Sequence, residues 1–167
     1  MNKQRGLEDE DLPVNNIKAL RRLARVIAMS QGQFSLILVC CNFSLQPLQV
    51  LNQLQELTAL PIQGIILSPG VETLFTTLAS ALEEPPPPAL MVFGLESIVT
   101  LDQVLSATNL VRDEFRKQFS FPLVLWINDE ILQKLIRLAP DFKSWAANPI
   151  RLEAPINQSL EWAGITA

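Results

Sequence analysis

The chain has 167 residues, 49% of them hydrophobic and 18% charged, with a net charge of −4 and no histidine. That length suits one domain with its own core and no need of disulfides or metal. The composition excludes histidine-based acid–base, nucleophilic and metal-ligand chemistry, its acidic balance disfavours a polyanionic partner such as nucleic acid, and no apolar run reaches the roughly eighteen residues that cross a membrane.

Residues 1–14 are polar and acidic, with Glu8-Asp9-Glu10-Asp11, and read as a flexible leader without an apolar signal core. Asn15 and Asn16 then offer an N-cap to a helix with apolar positions at Ile17, Leu20, Leu23, Ala24 and Ile27, ending near Gly32. Lys18, Arg21, Arg22 and Arg25 fall on this helix as a solvated face rather than a nucleic-acid patch. Phe34 to Cys41 is a continuous apolar run of strand length, as expected of a strand buried on both faces. Cys40 and Cys41 are the only two cysteines, and neighbours on a strand point to opposite faces, so they read as reduced, buried thiols of a cytoplasmic protein. No base or charge adjoins them in sequence to activate either one.

The pattern repeats along the chain. Ser44 is placed to cap a helix through Leu57, Ile62 to Leu67 is a second strand, and Ser68-Pro69-Gly70 turns into a helix over Val71–Leu82. Pro85 to Pro88 form a stiff connector to a third strand, Ala89–Phe93. One long helix is expected over Leu101–Phe119, a fourth strand over Leu123–Ile127, a helix capped by Asn128 or Asp129 through Leu138, and a short fifth strand at Ile150–Glu153. Residues 15–154 therefore form a single α/β domain, a mainly parallel five-stranded sheet between two helical layers, with 155–167 as a tail or linker.

In this architecture a ligand site belongs at the C-terminal ends of the strands. After the first strand stands Asn42-Phe43-Ser44-Leu45-Gln46-Pro47. A phosphate-cradling loop needs glycines, a lysine and a Ser/Thr for magnesium; this turn has no glycine and no lysine, and Pro47 removes a backbone donor. A hydrolase would place an acid at the end of the third strand, where the sequence has Gly94 with Glu96 two residues on. Asn42, Ser44, Glu96 and Asp129 are the remaining candidates for a weak nucleotide or anion sensor, or for a carboxylate-only hydrolase. Otherwise Glu96 is a surface or cap group, and Asn128-Asp129-Glu130 after the fourth strand either complement a helix dipole or, with Glu96, make a weak divalent site. No zinc-type cysteine cluster and no GxGxxG motif is present, so no cofactor or metal is expected.

Two further segments stand out. Asn109, Arg112, Asp113 and Arg116 recur at helical spacing and share one face of the long helix. Ala139-Pro140-Asp141-Phe142-Lys143-Ser144-Trp145 carries two aromatics three apart, which either pack a helix end onto the sheet or form an exposed aromatic and acidic docking patch. With Leu90–Glu96, Thr108–Asp113 and Pro122–Ile127, these residues make the stretch 33–153 resemble an N-terminal region of large bacterial, especially cyanobacterial, repeat proteins. That region is similar to the P-loop core of STAND signalling ATPases in its inactive form. The resemblance implies a strand order of five, one, four, three, two. It also implies a non-catalytic adaptor role with a protein partner or further domains of a larger chain, for which the helix face and the docking-patch alternative offer Asn109, Arg112, Asp113, Asp141, Phe142 and Trp145 as interaction candidates.

Overall fold

Unbroken aliphatic runs, too apolar to alternate, become the central strands of a parallel sheet. The computed structural model describes residues 14–154. In chain order the elements are α1 (Val14–Met29), β1 (Ser35–Cys40), α2 (Pro47–Gln55), β2 (Ile62–Ile66), α3 (Leu74–Ala81), β3 (Ala89–Phe93), a 3-10 turn at Leu95–Ser97, α4 (Leu101–Leu110), α5 (Arg112–Gln118), β4 (Pro122–Ile127), α6 (Asp129–Leu138), α7 (Pro140–Lys143) and β5 (Ile150–Arg151). The five strands form one all-parallel sheet in the order β2-β3-β4-β1-β5, the order implied by the resemblance. Among the described residues no helix is long and apolar enough to cross a membrane.

The sheet separates two cores, and side-chain alternation along each strand assigns residues to them. Leu36, Leu38 and Cys40 of β1 face the layer built by α3 to α7, with Leu78, Val104, Phe115, Leu135 and Phe142. Ile37, Val39 and Cys41 face α1 and α2, with Leu20, Leu23, Ile27, Val50 and Leu54. The two cysteines are free, buried and divided between the layers. Burying side chains of this size is worth about 1.5–3 kcal/mol each, so both layers are needed for stability. The basic residues Lys18, Arg21, Arg22 and Arg25 lie exposed on α1, opposite its buried stripe.

Several element boundaries differ from the sequence expectation, each for a local reason. Ser44 is not the cap of α2. A residue before proline is driven to extended backbone; Gln46 sits at φ −97° and ψ 105°, so the helix cannot begin before Pro47, and no side chain caps it. Asn16 is not an N-cap, because α1 already starts at Val14. Instead its fully buried side chain donates to the Glu153 carbonyl at 2.7 Å and accepts from the Glu153 N–H at 2.6 Å, tying the chain after β5 to the first turn of α1.

The long helix expected over Leu101–Phe119 is two helices, broken at Val111. Thr108 and Phe115 are buried, so a continuous helix would place Arg112 on the same buried stripe. The break releases Arg112 to donate to the Asn109 carbonyl at 2.6 Å and to approach Asp141 at 3.8 Å.

Candidate functional site

The C-terminal edge of the sheet carries a cleft of about 540 Å³. Its walls come from the turn after β1 (Cys41, Asn42, Phe43, Ser44, Leu45, Pro47), from Ile66, from Phe93, Gly94 and Glu96, and from Trp126, Ile127, Asn128 and Glu130. This is the position at which parallel α/β sheets bind ligands, and three of the four candidates there, Asn42, Ser44 and Glu96, line it.

The cleft's chemistry is the opposite of a phosphate site. Its charged side chains are Glu96 and Glu130, and among the described residues lining it there is no lysine or arginine. The helix that follows β1 opens with Pro47, which has no N–H to offer an anion. The end of β3 is closed to an acid by its backbone. Gly94 has φ +94°, the left-handed region, and a Cβ there would lie 2.8 Å from the Leu67 carbonyl oxygen and 3.0 Å from the Leu67 nitrogen. Glycine is required at this turn because the chain after β3 doubles back against the end of β2, where Leu67 N–H donates to the Phe93 carbonyl at 2.8 Å.

Asp129, the fourth candidate, does not line the cleft; it holds the sheet edge together. One carboxylate oxygen accepts from Arg151 Nη1 at 2.9 Å and from the Cys40 thiol at 3.3 Å, and the other accepts from Asn42 Nδ2 at 2.9 Å. Asn42 Oδ1 in turn accepts from the Asp129 N–H at 2.8 Å. The ends of β1, β4 and β5 are thus joined by one polar network. The Arg151 guanidinium, with help from the Cys40 and Asn42 donors, holds the Asp129 carboxyl below the ordinary carboxylate range. The helix cap proper is Asn128, whose Oδ1 accepts from the Ile131 N–H at 2.8 Å.

This network brings charges to the Cys40 thiol without activating it, as the sequence leads one to expect of both cysteines. Asp129 and Arg151 both reach Cys40, from positions far away in sequence. Burial, and then the hydrogen bond to Asp129, push the Cys40 thiol from 9.0 up to about 11. Burial also raises Cys41. Both are therefore held as thiols, and the neighbouring charges do not create a nucleophile. Among the described residues no group of three or more Cys, Asp or Glu side chains is placed to hold a metal ion.

The interaction candidates in the C-terminal half meet one another. Asn109 Oδ1 accepts from the Phe142 N–H at 2.9 Å, and its Nδ2 donates to Asp141 at 3.2 Å, so Asn109 caps the short α7 from outside. Arg112 braces the same turn. Phe142 is fully buried against Phe115, with ring centroids 5.0 Å apart, and so offers no surface to a partner. Trp145 is half-buried, edge-on to Phe34 at 6.1 Å, with the Arg116 guanidinium over its ring at 5.0 Å. Asp113 is exposed. The aromatic pair thus packs a helix end against the start of β1, the first of the two alternatives. Trp126 and Phe93, which stand in the sequence only as strand residues, stack at 5.3 Å in the cleft wall, and Glu130, one of the acids expected after the fourth strand, also lines the cleft.

No family model matches the chain, and neither a curated protein nor a solved structure matches it.

Proposed function

We propose that this domain is a non-catalytic scaffold with a P-loop-like architecture, mediating protein–protein contact within a larger signalling or multidomain assembly. The observation that carries the reading is the charge and shape of the cleft. It occupies the ligand edge of a five-stranded parallel sheet, yet presents two carboxylates, apolar walls and no cationic side chain among its described lining residues. A nucleotide's phosphates would meet Glu96 and Glu130 there without lysine, glycine-rich backbone or an acid placed to hold magnesium. The sheet order and the Asn109–Asp113 and Ala139–Trp145 segments support kinship with inactive STAND domains, which suits a cytoplasmic adaptor.

Thermal unfolding across a panel of adenine and guanine nucleotides with magnesium tests the reading. Any ligand that binds only the folded state raises the midpoint; the scaffold predicts no rise at millimolar nucleotide. A nucleotide-dependent, saturable rise would contradict it.

A further inference from the structure

Resting on the scaffold reading, we infer that the C-terminal cleft is a docking site for a basic peptide segment of the partner, one arginine or lysine flanked by apolar residues. Two observations converge on that chemistry. The first is charge complementarity. Glu96 and Glu130 come from different elements, the turn after β3 and the start of α6, yet line one cleft that has no basic side chain of its own among the described residues. A cationic side chain fits this field and an acidic or phosphorylated one is repelled.

The second is the wall. Phe43, Leu45, Ile66, Phe93 and Trp126 make an apolar lining able to take the aliphatic stem of arginine or lysine and its apolar neighbours. Ile66 is 68% exposed and nearby Leu48, in the first turn of α2, is 70% exposed, so apolar surface continues past the rim.

The cleft volume of about 540 Å³ lies within the range of built ligand sites and exceeds what one basic side chain fills, which favours a segment over a free amine.

The test is a selection from a library of random twelve-residue peptides displayed on phage, with the full chain immobilised. Recovered peptides are then synthesised and their affinities measured by fluorescence anisotropy. The expected result is enrichment of arginine or lysine beside aliphatic or aromatic residues. Binding should weaken with salt and fall about tenfold in the double variant Glu96→Gln/Glu130→Gln. Recovery of acidic or uncharged peptides, of no peptide, or of basic peptides indifferent to these substitutions overturns the inference. None of those results touches the scaffold reading, which fails only if nucleotide binds. Spermidine and arginine amide serve as competitors. Displacement of the peptides by either at an affinity matching the peptide's own would assign the cleft to a small amine and overturn the peptide.

Discussion

At Gly94 the backbone itself excludes an acidic residue. With φ at +94° and the Leu67 carbonyl oxygen 2.8 Å from where a Cβ would stand, Gly94→Asp cannot restore a magnesium ligand at the end of β3. The left-handed backbone alone costs about 1–2 kcal/mol for a residue with a Cβ, and the clash adds to it. Gly94→Asp is therefore expected to lower the denaturant midpoint without conferring nucleotide binding, and a variant of unchanged stability would show that the turn is not constrained as described. Cys40 makes the second residue-scale case. Its thiol ionises at about 11 in the folded protein against 9.0 ordinarily, so the native state favours the neutral form. That contribution is complete below pH 9 and is lost as the pH climbs through the folded value. Stability should fall between about pH 9 and 11, and Cys40→Ala should flatten that limb; at pH 8, iodoacetamide should label Cys40 only on unfolding. An alkaline limb unchanged in the variant would contradict the assignment.

At the scale of elements, Asn16 joins the two ends of the described chain. Its buried amide replaces a missing strand neighbour, pairing with both backbone groups of Glu153 across a sequence separation of 137. Asn16→Ala removes both bonds and should cost about 1–3 kcal/mol, read by urea denaturation; Asn16→Asp, which keeps the acceptor but sets a buried carboxylate oxygen against the Glu153 carbonyl, should cost at least as much. Which elements form was legible, because runs such as Leu36–Cys40 and Leu123–Ile127 are too apolar to serve anywhere but a sheet covered on both faces. Where helices start and break was less so. Ser44 has the chemistry of a cap, but Pro47 dictates the start of α2, and the break at Val111 leaves Arg112 beside Asp141, a residue brought near only by the fold. The site was legible in what it lacks and not in what it holds. Glycine and lysine can be counted absent from the turn after β1. Of the neighbours Asp129 and Glu130, however, the first turns to Arg151 and the second to the cleft, and only the pairing of β5 beside β1 decides between them.

Across the whole molecule, one five-stranded parallel sheet lies between two helical layers, and the cleft at its C-terminal edge is lined by no lysine or arginine among the described residues. The Asn42–Asp129–Arg151–Cys40 network ties three strand ends together at that edge. The chain also enters and leaves the described region side by side, at the Asn16–Glu153 junction, a geometry that lets a rigid body sit between flanking segments. The most direct test of this account is isothermal titration calorimetry of the full chain with ATP and GTP, each with excess magnesium. The account predicts no saturable heat up to millimolar nucleotide. A one-site isotherm with a low-micromolar Kd, abolished by mutating residues that line the cleft, would contradict it.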